Sequence, residues 1–183
     1  MRAVLALLAV LALAAQPALA QSKTKSSPVV AAVEALDMCE AFALGGEAIV
    51  DDAAAAGWDA GEQGSESPFI RHYVAAREFA GLGWGDLFAL VETYPGKQFG
   101  YCRIDFVEAS GSGRAAVEAI AGLHRYDGEV REDNGGYYAS LAGENSLLLT
   151  HWDEAGFVIQ LTVLTPTLDE PAASPEPESE ADE

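Results

Sequence analysis

The chain holds two cysteines, and the patterns around them have different periods. Around Cys39, apolar residues recur at helical spacing: Val29, Ala32, Val33, Leu36, Cys39 and Ala43 form one stripe, with Glu34, Asp37 and Glu40 away from it. Around Cys102, the run QFGYCRIDFVE alternates with period two. Cys102, Ile104 and Phe106 share one face, while Tyr101, Arg103 and Asp105 share the other. The polar pair marks the face that meets water, so Cys102 points inward. One cysteine on a helix's apolar stripe and another on a strand's inward face point toward the same helix–sheet interface. That placement is the geometry a bridge needs, and it favours helices laid on a sheet over an all-helical or all-strand fold.

Whether the pair is bridged depends on the compartment. Met1-Arg2 is followed by the uninterrupted apolar run AVLALLAVLALAA and then by Ala18-Leu19-Ala20, the small-residue spacing that signal peptidase reads. Residues 1–20 are therefore expected to be a secretory signal peptide. The run is too short for a membrane span, and no cysteine follows it to carry a lipid. Residues 21–27 are a polar linker, residues 28–167 a single folded domain, and residues 168–183 a disordered acidic tail rich in Pro, Ala, Glu and Ser. In an oxidising compartment, an even pair placed in this way is expected to form the disulfide Cys39–Cys102. Closing a loop of about 60 residues, it would contribute on the order of 4 kcal/mol by restricting the unfolded chain. The alternative is a buried free thiol. There is no CxxC spacing and no histidine cluster, so neither a redox pair nor a metal site is expected.

Charge narrows the roles. One of the ten basic residues, Arg2, lies in the leader and none of the 29 acids does, so the exported chain is strongly anionic. Seven of those acids fall in the tail, and the folded part stays negative without them. Such a surface repels phosphate backbones and anionic lipid, which argues against nucleic-acid and membrane-surface roles and leaves a basic protein, a cation or no specific charge partner.

Along the domain, Pro28 suits a first helical turn and Gly45-Gly46 ends that helix. EAIVDDAAAA reads as a second helix ending at Gly57, with Trp58 anchoring the corner. DAGEQGSESP reads as a loop. FIRHYVAAREFA fits both helix and strand, with strand favoured in its second half. DLFALVETY and QFGYCRIDFVE flank a Pro95-Gly96 turn, and GSGRAAVEAIAGLH returns to helix with Ser112 as its N-cap. GYYASLA, SLLLTHW and FVIQLTVLT form a meander, with Asn134-Gly135 as a turn before it. The acidic run DGEVREDN reads as solvated surface, and no internal repeat is evident. The fold expected is α+β in the order ααβββαβββ: an antiparallel sheet of about five or six strands, with an N-terminal helix pair and a central helix on one face.

Chemistry-bearing groups are sparse. His72, His124 and His151 are the only histidines, and none pairs at helical spacing with another. His151 and Asp153 in THWDEAG are the one candidate acid–base pair, which would need a distant serine. SGSG at 110–113 does not match the G-x-S-x-G of a nucleophile elbow. Trp84, flanked by glycines, either lines a groove or fills a gap at the sheet edge, with packing the favoured reading. Tyr101 and Arg103 are the residues of the Cys102 strand able to bind from the solvent side.

The helix bearing Cys39, then GGEAIVDDAAAAGW, then a second cysteine in a strand after PGKQFG, resembles small exported proteins of Gram-negative bacteria to which no activity is assigned. The resemblance covers residues 36–106 and implies a periplasmic address and a structural cysteine pair, and it points to no catalytic residue or mechanism; no cofactor is expected from the residues themselves. Together the readings predict an exported, non-catalytic interaction protein that engages a basic partner as an inhibitor would. The alternative is a small periplasmic hydrolase using His151 and Asp153.

Overall fold

A computed structural model describes residues 27–107, 109 and 113–165. The leader, all but the last residue of the linker, the Ser112 cap and the acidic tail lie outside the described residues.

Helix α1, Pro28–Leu44, begins where Ser27 accepts a hydrogen bond from the Val30 amide at 3.3 Å and Pro28 occupies the first turn. It ends at Gly45, whose φ of 67° lets its N–H reach the Ala41 and Phe42 carbonyls. The short α2, Ile49–Ala55, follows. Four strands come next: β1 Asp59–Gln63, β2 Ile70–Phe79, β3 Gly83–Tyr94 and β4 Lys97–Val107. After α3, Gly113–Ala121, the chain adds β5 Asp127–Asp133, β6 Gly136–Gly143, β7 Ser146–Asp153 and β8 Gly156–Thr165. The α+β class is as expected, but the order is ααββββαββββ and the sheet has eight strands in place of five or six.

The two additional strands are the edges. DAGEQ, read as loop, is β1, and the acidic run at 127–133 is β5. The ambiguous segment is strand throughout as β2. Strand order is β1-β2-β3-β4-β8-β7-β6-β5, with every pair antiparallel. Each half of the chain is thus a helical segment followed by a four-strand meander, and the halves join through their last strands, β4 and β8. This repeated connectivity has no counterpart in the sequence pattern. Turn chemistry does follow the sequence: Gly96 has φ 67°, and Asn134 and Gly135 both have positive φ, 49° and 81°, as a two-residue hairpin turn demands.

Both α1 and α3 cover the same face of the sheet, α1 over β3, β4 and β8 and α3 over β5, β6 and β7. Along β4, three successive inward positions meet the end of α1. Gln98 Nε2 donates to the Leu44 carbonyl at 2.8 Å, Gly100 lies against the Ala43 backbone, and Cys102 is bonded to Cys39 with the Cα atoms 5.5 Å apart. Both cysteines are fully buried. Beside them, Phe79, Phe106 and Phe157 pack ring against ring, and Trp58 meets Phe79 edge-on at 5.3 Å, anchoring its corner as expected. Each of these phenylalanines is almost wholly buried, stabilising the fold by about 2–3 kcal/mol.

Candidate functional site: the helix-free face of the sheet

Strands covered on one side by helices present every second residue to the other side. Register defines that helix-free face row by row, because directly paired residues point the same way. One row runs Val74, Phe88, Arg103, Gln160, Leu149, Ser140. The next runs His72, Leu90, Tyr101, Thr162, Leu147, Ala142. A third, toward the β3–β4 turn, holds Ile70, Glu92, Phe99 and Leu164. The opposite end of the face holds Ala76, Asp86, Asp105, Val158, His151 and Tyr138. Trp84 stands beyond Asp86 on the same strand and the same side.

The central rows carry apolar side chains open to solvent on either side of a polar seam, where Arg103 donates to Gln160 and Tyr101 lies opposite Thr162. Phe88 is 42% exposed, Leu149 37%, Leu147 46% and Leu164 47%. His72, Phe88 and Tyr101 follow one another diagonally across three strands, with ring centroids 6.1 and 6.4 Å apart. A sheet face of this kind normally meets either water through polar side chains or a second layer through apolar ones. Here many of the side chains are of the second type, and no helix among the described residues lies over them.

The charge balance differs between the two faces. On the helix side, six acids are held by arginines: Arg125 bridges Asp37 and Glu40 of α1 at 2.7 and 2.6 Å, Arg77 meets Glu34, Arg71 meets Glu62, and Arg114 meets Glu118 and Glu132. On the helix-free face, Arg103 and Asp105 form the one Arg–carboxylate pair among the described residues, a two-pronged contact at 2.6 and 2.7 Å. Hydrogen bonding to Asp105 raises the Arg103 pKa further, so this group stays charged. Asp86, Glu78 and Glu92 have no cationic partner there among the described residues, although Asp86 accepts from the Trp84 indole at 3.1 Å and Glu92 from the Tyr94 hydroxyl. Asp86 also lies directly opposite Asp105, a like-charge cross-strand pair.

All five predicted site residues fall on this one face. Trp84 is 52% exposed, so the packing favoured from its glycine neighbours is not what the structure has. Tyr101 and Arg103 point to solvent as the alternation of β4 required. His151 and Asp153, two apart on β7, do share a side, with Nε2 and Oδ2 3.8 Å apart. They line a small cleft of about 140 Å³ with Arg103, Asp105, Val107 and Val158. Tyr138 stacks on His151 at 5.7 Å and 20°, and its phenol pKa is raised by burial and then by the Asp153 charge, which keeps it protonated. Among the described residues, those lining the cleft include no serine, threonine or cysteine. His124 sits past the end of α3 in a left-handed conformation, φ 56°, and takes no part in the site.

Sequence reasoning missed Phe88, Leu90, Leu147, Leu149 and Leu164 as surface residues. The signal was present in DLFALVETY, where both alternating sets are apolar: Leu87, Ala89 and Val91 go inward, Phe88 and Leu90 outward. Among the described residues no group of acids, histidines or cysteines is arranged to hold a metal ion, and no helix is long and apolar enough to cross a membrane. A search of family models, of curated proteins and of solved structures finds no match to this chain.

Proposed function

We propose that this chain is an exported, periplasmic interaction protein without catalytic activity of its own, which engages a basic protein partner as an inhibitor does. The observation that carries this reading is the helix-free face, a sheet surface rich in exposed apolar side chains on which Asp105 is paired with Arg103 while Glu78, Asp86 and Glu92 have no cationic partner among the described residues. Uncompensated negative charge steers a basic partner toward the face and suppresses acidic ones. The leader sequence supports export, and the Cys39–Cys102 disulfide is consistent with an oxidising compartment. The test is capture by the tagged mature chain from an envelope extract at low and high salt. A basic protein retained at low salt and weakened at high salt is expected. Recovery of no specific partner under either condition would overturn the reading.

The His151–Asp153 contact favours a second reading, a small hydrolase. The described residues of the cleft lining supply no nucleophile, so the reading needs an activated water or a serine from outside that described lining. Turnover of an ester or peptide panel that disappears in His151→Ala would establish it, and absence of turnover in the intact chain would reject it.

A further inference from the structure

The two ends of the helix-free face differ in chemistry, and that difference specifies what fits. At one end Trp84, Asp86 and Asp105 lie together. The Trp84 ring is half exposed, and its N–H is engaged by Asp86. An indole face beside two carboxylates is a seat for an ammonium or guanidinium group, through cation–π attraction and charge pairing at once. Arg103 answers only part of that charge, since it is already engaged by Asp105 while Asp86 is not. Adjoining this end, the Phe88 and Tyr101 rings and the Leu147 and Leu149 side chains offer no charge at all. The five strands β2, β3, β4, β8 and β7 present a surface of about 24 Å by about 30 Å, from ordinary strand spacing and rise. That is roughly 700 Å², close to the ~800 Å² per partner of a standard interface.

We infer that this face docks a cationic amphipathic segment of a protein partner, with a Lys or Arg seated at Trp84, Asp86 and Asp105 and apolar side chains laid across Phe88, Tyr101 and Leu149. The inference rests on the proposed partner class and adds to it the surface and the chemistry of the docked segment. A second copy of the chain is the poorer occupant. Two such faces brought together would set acid against acid and leave the Trp84 seat without a cation.

The probes are three synthetic peptides of equal length: Leu/Lys amphipathic, Leu/Glu amphipathic, and Lys/Ser without apolar residues. The readouts are titration calorimetry and protection of Trp84 from acrylamide quenching in a Trp152→Phe background, Trp58 being buried and serving as the internal reference. Only the Leu/Lys peptide is expected to bind and to shield Trp84. Phe88→Ser should weaken it about tenfold or more, as loss of a central apolar anchor does. Asp86→Asn should weaken it several-fold at low salt, and Glu118→Gln, the same charge change on α3, should leave it unaltered. Equal binding of the Lys/Ser peptide, no binding of the Leu/Lys peptide, or full binding by folded Phe88→Ser would overturn the inference. So would a sedimenting dimer that Phe88→Ser dissociates, since a second copy would then own the face. A basic envelope protein still captured by Phe88→Ser would sink this assignment and leave the partner class standing. Peptide binding at the face with no basic protein ever captured would do the reverse.

Discussion

Replacing both cysteines with alanine tests the link between the layer architecture and stability. The bridge joins residues 63 apart, and both sulfurs are fully buried between α1 and β4. In the chain-entropy description, releasing a loop of that length returns about 14 cal/mol/K to the unfolded chain, or about 4 kcal/mol at 25 °C. Loss of two packed sulfurs acts in the same direction. For a domain of this size each 1 kcal/mol moves Tm by about 2–4 °C, so Cys39→Ala/Cys102→Ala should melt roughly 8–16 °C below the oxidised parent. Urea unfolding followed by circular dichroism gives the free energy, and it gives a second signature. The uncrosslinked unfolded chain is more expanded, so the m-value should rise along with the loss of stability. Because the sulfurs have no solvent access, dithiothreitol should open the bridge no faster than the domain unfolds. A loss below about 1 kcal/mol with an unchanged m-value would refute the argument that the bridge acts through the unfolded chain.

Other positions make separate demands. At Gly100 a side chain would run into the Ala43 carbonyl of α1, and its Cβ would stand 2.8 Å from the carbonyl carbon. Gly100→Ala should therefore lower stability by about 1–3 kcal/mol in urea melts, since the obstruction is backbone and cannot rotate away. The Tyr73 hydroxyl is buried without a hydrogen-bond partner among the described residues, so Tyr73→Phe should be neutral or stabilising by about 1 kcal/mol. Tyr126 donates to Glu40 at 2.7 Å, and burial, then that hydrogen bond, push its pKa well above the usual value. A raised folded-state pKa stabilises fully below the unfolded value near ~10 and is lost as pH climbs toward the folded one. Stability should thus decline above about pH 10, and Tyr126→Phe should reduce the slope there.

How much of this was legible beforehand differs by element. The Cys39 and Cys102 periodicities led directly to the helix-on-sheet interface and its disulfide, because each pattern had one apolar set and one polar set. β1 and β5 carry no such pattern: only Val130 of β5 is more than slightly shielded, and β1 is mostly exposed. Edge strands are held by hydrogen bonds on one side and kept from further pairing by their charges, so their sequences resemble loops. β2 was ambiguous for the opposite reason. Its outward set mixes Ile70, Val74 and Ala76 with His72 and Glu78, its inward set mixes Tyr73, Ala75 and Phe79 with Arg71 and Arg77, and a strand mixed on both sides has no period-two signature. The predicted site residues could be placed on solvent-facing sides one at a time. Their gathering on one surface depends on β8 lying between β4 and β7, a long-range pairing that local patterns do not encode.

That same pairing decides what the face can be. Tyr101 lies opposite Thr162, and Arg103 opposite Gln160, across the β4–β8 seam where the two halves of the chain meet. Phe88 and Trp84 come from the first half, Leu147, Leu149 and His151 from the second. Neither meander alone presents the acidic seat beside an apolar field wide enough for a partner. The seam is spanned on the other side by α1, which packs on β3, β4 and β8 and is tied to the loop after α3 by Arg125 and Tyr126. The ion pairs and the disulfide that hold α1 therefore lie behind the docking face and touch no part of it. Rigidity supplied from behind a surface leaves its front free to remain apolar and exposed, because the fold does not depend on covering it. It also reduces the ordering that binding would otherwise require, which is the condition under which a flat sheet face can bind tightly.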